Sequence, residues 1–517
     1  MLTAGQAHDV AIGLARAATS GLPEEWSRWA SWLRERSGRE WLQLDDMARS
    51  WRAAGQAPVS GVRGWLGERL DEPSGVVAAV TSWHADGRFR QRATQVLAAR
   101  GGALAAAALA VRCLDHVPQV RADALAGLRA CSSREEAGAA LAVLTAGARR
   151  HFATEALAEY ARTMAQQQDL ASLLAELRVA PEPSLRRWAF GYSREQGLLS
   201  VEHLVELALR GDDQFLRGAA THALRGQASI EQLITLLGGR FVDGRRLALQ
   251  ELSEEALDDA VLLPLLADRS GRVRELAQWR ARRRGHDLAA WYRVELGADA
   301  GPGRVTAALD GLSAFGGGED VALASSFLAH VSPVVRAQAA ATVAAGAPAA
   351  VVRELLLPLL DDPAPRVSAA AARALSRAGA GAADAERAWL SPLSATRRAA
   401  WRLSRAAGSW DRVAADVRAA ADPAPVVAGL GRSGLRNWLH AGAATTWGRP
   451  APASAQRLQA ALPESGLSVD EQRQVLFHAG LLAPAAPPSA DDGRDVPPVR
   501  RVLKLLRGRR DLGPGRP

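Results

Sequence analysis

The chain has 517 residues, of which 48% are hydrophobic and 23% charged, and a formal net charge of +9. This is the balance of a soluble globular protein, long enough for several domains or one elongated array. It excludes a chain built around membrane spans: no run of about 20 strongly apolar residues occurs, and "GGALAAAALAV" (101–111) is short and bracketed by Arg100 and Arg112.

Two cysteines, Cys113 and Cys131, form neither a disulfide framework nor a ligand-spaced cluster, and the first residues lack the basic start of a secretion signal. The expectation is a bacterial cytoplasmic protein. Lys504 is the only lysine among 64 basic residues. Residues 499–517 hold seven basic residues against one acid, a net +6, so most of the charge excess belongs to the tail and not to the body.

In chain order, residues 1–75 are read as a helical N-terminal cap rich in tryptophan: Trp26, Trp29, Trp32, Trp41, Trp51 and Trp65. There Ser37 and Glu40 have capping-box spacing, and Trp41, Leu44, Ala48 and Trp51 form a helical stripe. The stripe suits closure of a core, and its alternative is an aromatic docking surface.

From residue 76 to 440 one phrase recurs. "DDPAPRVSAAAARAL" (361–375) has relatives in "DHVPQVRADALAGL" (115–128), "DRSGRVRELAQ" (268–278) and "HVSPVVRAQAAATV" (330–343). The register residues are Arg90, Arg121, Ala153, Arg186, Arg217, Arg245, Arg274, Arg304, Arg336, Ser368, Arg397 and Ala428, at steps of 28 to 33 residues. Three residues beyond them stand eleven alanines and Gly431; one residue before and seven after are mostly apolar. These offsets share a helix face, so each unit predicts a turn, a first helix with a small residue where its partner crosses, and a leucine-rich second helix. An Asp six residues before register (Asp115, Asp268, Asp362, Asp422) is placed to cap the new helix, and Pro118, Pro333 and Pro365 to start it.

This phrase resembles the HEAT-like repeat, close to the short form of bacterial HEAT proteins and phycobilin-lyase-like repeats. The resemblance implies an all-α, right-handed α-solenoid of about twelve helical hairpins. It also implies a ladder of turn Asp and register Arg, matched here by Asp115, Arg121, Asp268, Arg274, Arg336 and Asp362 and broken at Ala153, Ser368 and Ala428.

After the array, residues 441–482 predict C-terminal capping helices, the second begun by Ser468 and Glu471. Residues 483–498 read as a Pro/Ala linker and 499–517 as a basic amphipathic tail with Arg500, Arg501, Lys504 and Arg507 as candidate contacts.

No glycines precede Lys504 in Walker spacing, and no Cys/His set has zinc spacing. "GLGRSG" (429–434) matches a dinucleotide fingerprint but follows no strand, and Gly431 fills the small-residue slot, so it reads as helix packing. Carboxylate pairs such as Asp45 with Asp46 read as solvated faces. No cofactor or metal is expected. Candidate binding residues are Arg398, Trp401, Arg402 and Arg405 on one helix face, and Arg280, Arg283 and Arg284 beside Trp279. The leading reading is a non-enzymatic scaffold or adaptor that presents an extended concave surface to a protein partner. Two alternatives stay open: a nucleic-acid-binding array of the DNA glycosylase kind, and a bilin-lyase-like enzyme.

Overall fold

The structure is a computed structural model that describes residues 2–20, 22–53, 74–167, 169–297, 300–446 and 448–482. Among these residues every regular element is helical. The chain divides into two units, Met1–Val261 and Leu262–Pro517.

In the first unit α1 (Ala4–Ser20), α2 (Pro23–Arg34), α3 (Gly38–Ala53) and α4 (Gly75–Thr81) lead into a succession of helical hairpins. Their helices are α5 (Gly87–Arg100), α6 (Ala103–Arg112), α7 (Pro118–Ala130), α8 (Arg134–Ala146), α9 (Ala153–Gln167) and α10 (Leu170–Arg178). They continue with α11 (Pro183–Glu195), α12 (Val201–Arg210), α13 (Gln214–Ala223), α14 (Ile230–Leu237) and α15 (Val242–Glu251). The short α16 (Asp259–Leu262) follows. The second unit holds α17 (Gly271–Arg283), α18 (Leu288–Gly297), α19 (Pro302–Phe315), α20 (Asp320–Ser326), α21 (Pro333–Gly346) and α22 (Ala349–Leu356). Then come α23 (Pro365–Arg377), α24 (Ala382–Trp389), α25 (Ser394–Ala406), α26 (Ser409–Ala420), α27 (Pro425–Asn437), α28 (Pro452–Ala461) and α29 (Val469–Ala479).

Within each unit a helix packs on its hairpin partner and on the second helix along: α5 on α7 and α6 on α8, and likewise α19, α21, α23 and α25 in series. This is α-solenoid stacking. Alanine supplies helix propensity and thin contact faces together. Every slot three residues past register is buried, from Ala93, Ala124 and Ala156 through Ala339, Ala371 and Ala400 to Gly431. Leu97, Leu128, Leu224, Leu252, Leu375 and Leu435, seven past register, are at most 1% exposed. Proline opens α7, α11, α19, α21, α23, α27 and α28, where the missing N–H has no helical acceptor to lose.

The tryptophan-rich start joins the core of the first hairpins. Ser37 and Glu40 form a capping box: Ser37 N–H donates to Glu40 Oε2 (3.0 Å) and Glu40 N–H to Ser37 Oγ (3.3 Å). Trp41 and Leu44 are buried against α6 and α8, with Trp41 set edge-on to Trp83. The Trp51 side chain, Trp65, and residues 483–517 with Arg500, Arg501, Lys504 and Arg507 lie outside the described residues.

Asp45 differs from the sequence expectation. It is 1% exposed, not solvated, because α3 turns it onto the fully buried Arg112 of α6, with which it pairs. Arg112 also donates to Asp115 (3.0 Å), and Arg90 grips Asp115 through Nε (2.8 Å) and Nη2 (2.9 Å). Burial alone would raise the Asp115 carboxyl, but the bonds from Arg90 and Val117 N–H and the charge of Arg112 outweigh it and hold it down at about 2. Such a buried, mutually paired quartet is costly to break from either side.

Candidate functional site

Of the nine register arginines, Arg304 pairs with Glu295 and the other eight share one task. Nη1 reaches back over the preceding turn and donates to the carbonyl six residues earlier: Arg90 to His84 (2.9 Å), Arg186 to Ala180 (2.8 Å), Arg217 to Gly211 (2.7 Å), Arg274 to Asp268 (2.9 Å) and Arg336 to His330 (2.9 Å). Arg121, Arg245 and Arg397 do the same to Asp115, Gly239 and Ser391. This satisfies carbonyls that a tight turn leaves without a backbone partner. In three of these arginines Nε and Nη2 also close a fork on the Asp of the next turn: Arg90 on Asp115, Arg336 on Asp362, Arg397 on Asp422.

The turn aspartates do not cap their helices as the sequence suggested. Oδ1 of Asp115, Asp268, Asp362 and Asp422 accepts from the amide two residues on, at Val117, Ser270, Ala364 and Ala424, so it closes the turn before the helix begins. In Asp115, Asp362 and Asp422 the second carboxylate oxygen accepts from the arginine of the preceding hairpin.

In the second unit these links run without a gap through four successive turns. Arg336 joins the carbonyls of His330 and Val331 to Asp362. Ser368 offers no guanidinium, and a second device takes over: Asp361 Oδ1 accepts from Ser391 Oγ (2.8 Å) and Thr396 Oγ1 (3.2 Å). Arg397 then joins the carbonyls of Ser391 and Pro392 to Asp422. On this pinned edge large apolar side chains face solvent: Val331 is 87% exposed, Leu390 81% and Val426 66%, with Val334 and Leu393 beside them.

The Arg398, Trp401, Arg402 and Arg405 face of α25 is assembled differently from the expectation. Trp401 is buried, and its Nε1 donates to Asp416 Oδ1 of α26 at 2.8 Å, so it offers no open ring to a base. Arg405 lies 4.8 Å from that ring centroid, with Nε 3.3 Å from Asp416. Burial pushes the Asp416 carboxyl up to about 6 against the opposing pull of Arg405, Trp401 and Arg412. Its Oδ2 faces Gly434 of α27, where a Cβ would stand 2.5 Å away. Arg398 and Arg402 remain half-buried at the surface.

The second candidate cluster sits on α17, separated from α25 by the stacked α19, α21 and α23. Its Arg280 is 6% exposed and engaged by neighbours, so the interior holds it and not the binding surface the sequence suggested. Arg283 is exposed above the half-exposed Trp279 (4.8 Å), and Arg284 follows the helix end. The "GLGRSG" segment lies inside α27, with Gly431 against the backbone of Ala419 and Ala420. Both cysteines are buried and free, and burial lifts Cys113 to about 12. Among the described residues no three His, Cys, Asp or Glu side chains gather to hold a metal ion, and no helix is long and apolar enough to cross a membrane.

No protein-family model and no curated sequence matches the chain. Among solved structures it is similar to importin beta crystallised in a polyethylene glycol condition, at 13% identity and a TM-score of 0.30, over 89% of this chain and 70% of that one. It is also similar to a homology model of the full-length AP-3 complex in an intermediate open conformation, at 11% identity and a TM-score of 0.32, over 90% and 92% of the two chains. At this distance neither likeness bears on what this chain binds.

Proposed function

We propose that the chain is a non-enzymatic scaffold or adaptor, and that the turn edge of its second unit is the surface it offers to a protein partner. The observation that carries this is the combination of exposed Val331, Leu390 and Val426 with the unbroken hydrogen-bonded links beneath them. Scattered exposed apolar residues are ordinary, whereas these recur on three of four linked turns, an arrangement that water disfavours and a partner covers. A pre-ordered edge loses little entropy on binding.

The polar groups that resemble catalytic machinery have structural occupations. Asp416, the carboxylate with the raised pKa, is held by Trp401 and Arg405 against Gly434. The test is the triple substitution Val331→Ser, Leu390→Ser and Val426→Ser, which strips the edge and leaves its links intact. A protein that copurifies with the parent and with the variant in equal amount contradicts the reading; its loss from a variant with unchanged circular dichroism supports it.

A further inference from the structure

Helices α21, α23 and α25 stack in series, and none of the three contains an aspartate or glutamate. Their arginines fall into two groups. Arg336 and Arg397 are neutralised by Asp362 and Asp422, and Arg405 by Asp416. Arg366, Arg373 and Arg377 on α23 are exposed, Arg398 and Arg402 on α25 half-buried, and none of the five forms an ion pair with a described residue.

Three of the five share a groove, and the other two stand on the helix packed next to it. Arg366, Arg373 and Arg377 line a groove of about 330 Å³ whose other wall carries Val334 and Gln338 and whose floor is alanine. Burial first, and then the like charges of Arg398 and Arg373, lower the pKa of Arg402, in keeping with the packing of α25 directly on α23. Like charges held together with no carboxylate between them are stabilised by an incoming anion. Along α23 the arginines span roughly 16 Å at 1.5 Å per residue, and the neighbouring helix adds about 8 to 10 Å of width. One phosphoryl group would engage one or two of the five. A polyanion engages them all.

We infer that this arginine face binds double-stranded nucleic acid through its phosphate backbone, without reading sequence. A duplex presents a negative charge about every 1.7 Å of its axis, enough to meet each guanidinium. Single strands are held by stacking bases on aromatic rings, and Trp401, the only aromatic residue on the three helices, is buried. Arginine forks directed at phosphates set position and carry no base information. This surface meets the turn edge at Val334, but the arginines that carry it are distinct from Val331, Leu390 and Val426, so each reading can fail without the other.

The experiment is fluorescence anisotropy of the full-length chain with a labelled 24-base-pair DNA duplex over a salt series, for the parent and for Arg366→Ala, Arg373→Ala and Arg402→Ala combined. The variant is expected to bind roughly tenfold or more weakly, with the slope of log K against log salt shallower by about 2 to 3. Unchanged affinity and slope would mean that the tail at 499–517 carries the binding, and would overturn the inference. A single strand that binds as tightly as the duplex, or poly-glutamate that competes as well as unlabelled duplex, would overturn it too. Should the triple variant unfold, the exposed Arg373→Glu alone gives the same reading.

Discussion

Arg397 and Asp422 stand twenty-five residues apart and are joined by two charge-assisted bonds, Nε to Oδ2 at 2.7 Å and Nη2 to Oδ1 at 2.9 Å. The third nitrogen of the same guanidinium donates to the carbonyls of Ser391 and Pro392. One side chain thus closes its own turn and fixes the next. Lysine keeps the charge and loses the fork. Arg397→Lys is therefore expected to cost roughly 1 to 3 kcal/mol in urea unfolding, close to the cost of Arg397→Ala, whereas the exposed Arg366→Lys should be neutral within about 0.5 kcal/mol.

The buried quartet of Arg90, Asp115, Arg112 and Asp45 gives the first unit an acid sensitivity. The Asp115 carboxyl lies at about 2 in the folded chain, below its ordinary 3.8, so its contribution is fully present above pH 4 and is lost as pH falls toward 2. Asp115→Asn should lower stability by about 3 kcal/mol or more at pH 7 and flatten the melting curve's dependence on pH in that window.

Asp416 has the opposite sign. Its folded value of about 6 is above the ordinary 3.8, so the folded state binds the extra proton between those values and stability falls as pH rises from 4 to 6. Asp416→Asn should remove that slope and leave the protein roughly 1 to 3 kcal/mol more stable than the parent at pH 8, read by thermal melts across pH. An unchanged profile would contradict the burial assigned to this carboxylate.

The glycines of α27 separate packing from propensity. A Cβ on Gly431 meets the backbone of Asp416, Ala419 and Ala420, while one on Gly429 meets nothing within 4 Å. Gly431→Ala is expected to cost roughly 1 to 3 kcal/mol and Gly429→Ala to stabilise by about 0.5 to 1 kcal/mol. Equal melting temperatures for the two variants would contradict the helix crossing.

What sequence shows and what it hides follow the range of the interactions. The slot at Ala93 through Gly431, the leucines seven past register and the boxes at Ser37–Glu40 and Ser468–Glu471 depend on spacings within one helix, and periodicity reads those directly. Asp45 and Arg112 are 67 residues apart, so the polar neighbours of Asp45 in sequence gave no sign that α3 turns it inward. Trp401 shares a face with Arg398 and Arg405 by spacing, but which part of that face meets solvent is decided by Asp416, fifteen residues on. The gap at Ser368 looked like a broken ladder because Asp361, Ser391 and Thr396 replace a guanidinium with groups that no repeat pattern predicts.

The proposed scaffold role is tested most directly by photo-crosslinking in the native cell, with a photoreactive amino acid placed at Leu390, at Val426, or at Ala350. Ala350 lies past the far end of α21, about 20 Å along that helix from Pro333, and so reports the opposite edge of the hairpins. The account predicts one discrete protein adduct shared by Leu390 and Val426 and absent at Ala350, and its disappearance when Val331→Ser is combined with Leu393→Ser. No adduct from either turn position, or the same adducts from all three, would contradict the claim that this edge is the docking surface.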